Sequence, residues 1–419
     1  MAGWYTRHMS VPPFVTALGV AAVLSVPLPA TAQDDRPFTL ADALARVRTT
    51  APEAAAAGAR VEAARDAMAV SGRPPNPTFE FRTENLLSGV SRAVLPLDTF
   101  AEVTQVVELG GKRAARKAVA AAGLGTAEAQ QALTTRALAL DITRLYLQAL
   151  RMRERRATLV TQAGDLAELV RIVGRRVDVG AAPEADVLKL RTEEARTTTD
   201  LVRAELEASR AMAELTARLD VEARLEQLQP PGLPPVGVMP VDDETIARRA
   251  DVVAAMQRVE AARQALRLED ARGIPDPAVN AGYKRTIGYD TALVTVTMAL
   301  PIFDRNRVAR AVARGEAQAA ALELAAVTRR ARGELQATRV AAERLRAAAR
   351  ETRTRLLEPA RGARDAARAA FQSGALDVMR LVDAERVYTE AALVAIDLDI
   401  DAVATAIEAR LAAGEDPLP

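Results

Sequence analysis

Apolar positions along this chain change period in the same order twice. From about Thr39 they recur at helical spacing until a Pro-x-Pro stop at Pro75-Asn76-Pro77, and two short alternating segments follow. PTFEFRTEN (Pro77 to Asn85) sets Phe79 and Phe81 against Glu80, Arg82 and Glu84, while FAEVTQVVEL (Phe100 to Leu109) alternates less cleanly. A period of two predicts strands. Lys112 to Val179 then holds no proline. As one helix at ~1.5 Å per residue it would approach ~100 Å, beyond any compact core. Within it Leu138, Ile142, Leu145, Ala149 and Met152 step with the rhythm of a coiled-coil seam. A Gly turn at Gly180 and a returning helix close the half.

The second half repeats this grammar. Pro275-Asp276-Pro277 is the stop. DPAVNAGYKRTIG sets Val279, Tyr283 and Ile287 against Asn280, Lys284 and Thr286, and TALVTVTMAL sets Val294, Val296, Met298 and Leu300 against Thr295 and Thr297. A long helix over Arg305 to Gln372 follows, with Pro359 expected to bend or break it, as Gly164 loosens the first copy. Gly374 makes the turn. Literal echoes support the duplication: RVEAAR at Arg60 returns at Arg258, GGKRAAR at Gly110 answers DRNRVAR at Asp304, and LVRAEL at Leu201 answers LVAIDL at Leu393. The reading is a first repeat over 33–228, a Pro-rich linker over 229–241 and a second repeat over 242–419.

Residues 1–32 read as a secretory signal: Arg7, an uncharged run from Phe14 to Leu28, and the small-x-small site Ala30-Thr31-Ala32. Pro27 and Pro29 interrupt the run, which is too short for a spanning helix. Removing the leader removes the only histidine, His8, and balances acidic and basic residues. The chain has no cysteine. Thiolate nucleophiles, imidazole bases and the usual zinc ligand sets are therefore unavailable, so no catalytic residue, metal site or cofactor is assigned. Charge balance argues against a nucleic-acid binder. Only 3% of residues are aromatic, which favours thin, Ala-packed helices.

The alternating segments have the length of bilayer-crossing strands. Four strands cannot close a barrel, and open edges cannot sit in lipid, so further copies of the chain must complete the wall. Two hairpins covering a soluble core would be the ordinary alternative.

QVVELGGKRAAR (Gln105 to Arg116), MALPIFDRNRVAR (Met298 to Arg310), the two turn glycines and LVDAERVY (Leu381 to Tyr388) carry a resemblance to the outer-membrane efflux proteins of the TolC family, in its CzcC-like branch. It extends over both halves. The resemblance implies a mainly α fold with a small β part: long antiparallel helical hairpins forming a periplasmic α-barrel, and four strands per protomer in a trimeric 12-stranded transmembrane β-barrel. Phe79, Phe81, Tyr283, Val294, Val296 and Met298 would lie in barrel strands. RVEAAR would be one stave written twice, its Glu and Arg paired at i, i+3.

The resemblance further implies a homotrimer in outer-membrane lipid, docked to a periplasmic adaptor protein and an inner-membrane pump of the resistance-nodulation-division type. Gly180, Ala181, Gly374, Ala375 and Leu376 would be the docking tips, although an ordinary helix-ending glycine accounts equally well for each taken singly. Of two aspartate positions that narrow the closed pore in the family's best-known member, one is Asp383 and the other is Arg380. A ring of these could lock the aperture by ion pairs or weaken its pull on cations; ordinary surface pairing is the plainer account. No cysteine follows the leader, so the chain is not lipidated.

The function implied is a passive exit duct for a tripartite efflux system, with heavy-metal cations as the favoured cargo and organic compounds or polypeptides as alternatives. From other classes, a soluble periplasmic coiled-coil adaptor would show one hairpin and compact β domains, and a carboxylate-based hydrolase would show a paired-acid pocket.

Overall fold

The computed structural model describes residues 36–85, 97–234, 240–286 and 288–418. The leader at 1–32, Ile287 and part of the linker fall outside them. Residues 37–419 form one unit.

The first two helices among the described residues are α1 (Leu40–Thr50) and α2 (Pro52–Val70). Thr39 caps α1 in a reciprocal capping box with Asp42, and Pro52 starts α2 where its missing N–H costs nothing. Strands β1 (Thr78–Glu84) and β2 (Asp98–Val106) lead into α3 (Lys112–Asp178), an unbroken helix of 67 residues, and α4 (Glu184–Leu219) returns. Gly164 does not interrupt α3. A single 3₁₀ turn (Leu225–Gln227) opens the connection to the second half.

There α5 (Asp243–Ala247) and α6 (Ala250–Arg272) precede β3 (Pro277–Thr286) and β4 (Tyr289–Met298). The second long helix begins as α7 (Arg307–Thr352), passes through a π-helical turn (Arg353–Leu357) and continues as α8 (Glu358–Gln372) before α9 (Val378–Ala412) returns. The expected break at Pro359 is therefore milder than a break. The π turn shifts the ladder by one residue, with Glu358 N–H donating to the Arg353 carbonyl. The wider turn takes up the ladder position that the proline vacates, and the helix resumes.

The strands form one antiparallel sheet in the order β1-β2-β3-β4, so the two halves share a single β layer. Lengthwise, α3 packs against α4 and α9, and α9 packs against α7 and α8. Nearer the sheet, α6 lies between α3 and α7, whereas α2 touches α3 and has no contact with α7.

The largest core sits at the waist, where Leu138, Ile142, Tyr146, Ala149 and Leu150 of α3 meet α1, α4 and α9. Leu145 and Met152 pack against the same core, so all five seam residues point where the heptad rhythm places them. Tyr146 donates to the carbonyl of Phe38 or Gln229, both at 2.7 Å, and accepts from the Gln229 N–H at 2.9 Å. Burial pushes its hydroxyl up to about 12, so it stays a neutral clamp holding the linker to the bundle.

Candidate functional site: sheet faces, junctions and tips

Cross-strand partners share a face of a sheet, so the register sorts every strand residue. One row runs Phe79–Val103–Ala281–Val294, the next Phe81–Ala101–Tyr283–Ala292, and a third joins Val279 to Val296. Met298 pairs with Pro277 on the same side. This apolar face is uncovered: Phe79 is 70% exposed, Phe81 64%, Val294 75% and Val296 65%. The opposite face carries Glu80, Arg82, Glu84, Asp98, Glu102, Thr104, Asn280 and Lys284. A soluble hairpin pair would turn its apolar face to a core, and this one turns it outward. Both sheet edges, on β1 and β4, lack a partner strand among the described residues. Among the described residues no helix is long and apolar enough to cross a membrane.

The sequence motifs beside the strands join the sheet to the helices. Lys112, first residue of α3, is buried, and its ammonium reaches the Ile274 carbonyl at 2.5 Å and the Asp276 carboxylate at 2.7 Å. Asp276 also accepts from the Leu109 N–H at 2.8 Å. Arg116 binds Glu108 and donates to the carbonyls of Ser71 and Arg73 at the end of α2. In the second copy Asn306, at φ 61°, binds Glu269, and Arg310 binds Asp270 at 2.6 Å. The motifs GGKRAAR and DRNRVAR are thus two versions of one clamp between a long helix and the short helix before the strands. The RVEAAR pairing holds in one copy only. Arg65 binds Glu62, whereas Glu260 accepts from Gln264 and Arg263 has no partner among the described residues.

At the far ends both hairpins turn through the same motif. Gly180 (φ 72°) donates to Val177 and Ala181 donates to Arg176; Gly374 (φ 76°) donates to Phe371 and Ala375 to Ala370. These are paired Schellman caps, which need a left-handed residue that glycine supplies without strain. A Cβ on either glycine would meet nothing within 4 Å, so backbone angle alone demands glycine there. Gly180, Ala181, Gly374 and Ala375 are exposed, and Leu376 is half-buried against a shared tip core of Leu166, Leu169, Val187, Phe371, Val378 and Leu381.

Arg380 and Asp383 are both exposed on the first turns of α9, and neither has an ion-pair partner among the described residues of the protomer. What sequence reading missed lies beside them. Arg368 of α8 reaches Asp165 of α3 at 2.7 Å and the buried Glu385 of α9 at 2.6 Å, joining both hairpins. The Arg364 guanidinium lies 3.9 Å from the centre of the Tyr388 ring. The signal was present in LVDAERVY: Leu381, Glu385 and Tyr388 recur at i, i+4 and i+7 and so share the face turned to α8. Asp383 falls off that face. Among the described residues no group of three or more His, Cys, Asp or Glu is placed to hold a metal ion.

This architecture matches solved outer-membrane channels. VceC from Vibrio cholerae superposes with a TM-score of 0.74 at 17% identity over 90% of this chain and 96% of its own. CusC superposes with a TM-score of 0.74 at 16% identity, covering 90% and 92%. The fold is TolC-like. By sequence, the chain is 27% identical over 336 residues to the cobalt-zinc-cadmium resistance protein CzcC of Cupriavidus metallidurans, spanning 76% of each. No family model matches. The likenesses are of the kind that the motifs point to: outer-membrane proteins by fold, and a metal-resistance protein by sequence.

Proposed function

We propose that this protein is the outer-membrane exit duct of a tripartite efflux system, a passive conduit for heavy-metal cations driven by an inner-membrane pump. The observation that carries the reading is the uncovered apolar sheet face bounded by two unpaired edges. Such a sheet is stable only where lipid covers the face and another strand covers each edge. Three copies placing β4 beside the next β1 give a closed 12-stranded wall, apolar outside and polar within.

The helices support the same assembly. In the chain α6 fills the groove between α3 and α7, while α2 packs on α3 alone. Because α2 and α6 carry the same hexapeptide, α2 of one copy is suited to α7 of the next, so the two repeats flanking the Pro-rich linker become six staves. The Schellman tips point away from the sheet, where a periplasmic adaptor of a resistance-nodulation-division pump would dock at Gly180, Ala181, Gly374, Ala375 and Leu376. Arg380 and Asp383 line the aperture. Export uses the signal over residues 1–32, and membrane hold comes from the barrel without a lipid anchor.

Cargo follows from the relative, whose name records resistance to cobalt, zinc and cadmium. Soft-metal chelation is not needed for passage, and a chain without cysteine offers little of it. The test is a deletion strain of the source organism, scored for growth on cobalt, zinc and cadmium salts and on a panel of organic toxicants. Metal hypersensitivity restored by the intact gene is expected. Normal metal tolerance with organic hypersensitivity would overturn the cargo assignment, and recovery of the protein in the soluble periplasmic fraction would overturn the duct.

A further inference from the structure

Apolar exposure does not end with the sheet. Leu300 continues the alternation of Val296 and Met298, and Leu300, Ile302 and Phe303 of the β4–α7 junction are all exposed, Phe303 at 97%. Val308 and Val312, one turn apart on α7, extend this surface and are uncovered as well. Beside them stand Arg305 and Arg307. The Arg305 guanidinium donates to the Pro301 carbonyl at 3.3 Å, and neither arginine has an ion-pair partner among the described residues. Arg310, one turn on, is by contrast pinned to Asp270. An apolar patch of this size edged by unpaired guanidinium groups needs a covering, and the candidates are a neighbouring subunit and a lipid surface.

The first repeat shows how little a neighbour would cover. Its α3 already packs against both α2 and α6, the surroundings that α7 would gain in an assembled ring. The shift that carries Asp304 to Gly110 carries Phe303 to Leu109 and Val308 to Ala114. With both neighbouring helices in place Leu109 is still 42% exposed, and Ala114 is exposed too. The same shift carries Arg307 to Arg113, which is exposed and has no ion-pair partner among the described residues. Helix packing therefore leaves this level open in both repeats. Its height is that of a membrane boundary. From Val294, at the middle of β4, to Leu300 the chain climbs about 15 Å along a membrane normal, at ~3.3 Å per residue and a tilt of ~40°. Half of a ~30 Å hydrocarbon core is the same distance.

We propose that the β4–α7 junction is a phospholipid anchor: Leu300, Ile302 and Phe303 enter the acyl boundary of the leaflet on the helix side, and Arg305 and Arg307 take the phosphates of anionic lipids there. The inference rests on the outer-membrane reading, which supplies the lipid, and adds to it a headgroup preference that an apolar sheet face cannot provide. A guanidinium offers forked donors to a phosphate, while an arginine stem lies along apolar surface and keeps its head at the boundary. Phosphodiester oxygens thus satisfy cations that the protein leaves unpaired. The motif MALPIFDRNRVAR divides accordingly. Asn306 and Arg310 clamp α7 to the end of α6, and Pro301-Ile302-Phe303 is the part given to the membrane. Three such junctions around a trimer fix the height at which the duct sits in the bilayer.

Trp4 is the chain's only tryptophan, so a Trp4→Phe background makes any introduced tryptophan a single reporter. The test places Phe303→Trp and, as a depth reference on the sheet, Val294→Trp in phosphatidylcholine vesicles brominated near the headgroup end or near the methyl end of the acyl chain. The reporter at 303 is expected to be quenched most by shallow bromine and the reporter at 294 by deep bromine. Brominated phosphatidylglycerol diluted into plain phosphatidylcholine should quench the 303 reporter severalfold more than brominated phosphatidylcholine at the same dilution. Arg305→Gln with Arg307→Gln should abolish that difference. Ile302→Trp repeats the measurement if the 303 variant fails to assemble. A 303 reporter that no bromine quenches, beside a quenched 294 reporter, overturns the anchor alone and gives the junction to a neighbouring subunit. Equal quenching by the two lipids, or a preference that survives the double glutamine change, overturns the arginine assignment. A 294 reporter out of reach of every bromine removes the membrane reading, and the anchor with it.

Discussion

The Lys112 ammonium and the Asp276 carboxylate stand 2.7 Å apart, so the first residue of one repeat's long helix is tied to the residue that introduces the other repeat's strands. Burial alone would raise the Asp276 carboxyl, but Lys112 and the Leu109 N–H outweigh it and hold it below the ordinary carboxylate range. A carboxyl depressed by folding adds stability that is present above its unfolded pKa and is lost as pH falls through the lower folded value. Asp276→Asn should therefore lower the thermal midpoint of the detergent-solubilised protein at neutral pH. The gap to wild type should close as pH drops below about 4, measured by circular dichroism across a pH series. A gap independent of pH would mean that the junction does not depend on this charge.

Quasi-equivalence makes the subunit contact testable. Gly125 of α3 packs on Gln257 of α6, so closely that a Cβ on the glycine would lie 2.6 Å from the Gln257 amide oxygen. Carrying Gly110 onto Asp304 moves Gly125 to Ala319 of α7, and carrying Arg258 back onto Arg60 moves Gln257 to Ala59 of α2. Both alanines are exposed in the protomer. Because the chain has no cysteine, Ala59→Cys with Ala319→Cys should give covalent dimers and trimers on mild oxidation, seen on non-reducing gels. Single variants should give no trimer. A double variant that stays monomeric would count against α2 and α7 as neighbours.

At the tips, Gly180→Val and Gly374→Val each force a β-branched residue into left-handed backbone, at roughly 1–2 kcal/mol per site. The cost is local, so trimers should still form while complementation of the metal-sensitive strain fails. Gly180→Asn and Gly374→Asn, which tolerate that backbone better, should retain more export. Full export by the valine variants would exclude the turns from docking.

Arg380→Ala with Asp383→Ala should raise single-channel conductance in planar bilayers if these residues narrow the aperture between subunits. They have no ion-pair partner among the described residues of the protomer that the change would disrupt, so folding is expected to be unaffected. Unchanged conductance removes them from the gate.

Much of the fold was legible because two periods, near 3.6 and 2, alternate cleanly. The seam from Leu138 to Met152 and the rows through Phe79, Val294 and Val296 are consequences of spacing alone. Pro359 was harder: the sequence shows a proline inside a helix, but whether the chain kinks or absorbs it through a π turn depends on how the ladder shifts at Arg353 to Leu357. Duplication also misled. The same RVEAAR gives an ion pair at Glu62 and none at Glu260, because Gln264 competes for the second glutamate. The Arg368 bridge was invisible because it depends on register between segments distant in the chain, which no local pattern encodes.

The uncovered sheet has a consequence before any cargo moves. On the duct reading proposed above, a newly exported subunit, still alone in an aqueous compartment, presents a greasy surface bordered on either side by templates for indiscriminate strand addition. Its most hazardous moment is the interval between secretion and insertion, so the cell's need for an escort that masks these strands is written into the same residues that later face lipid.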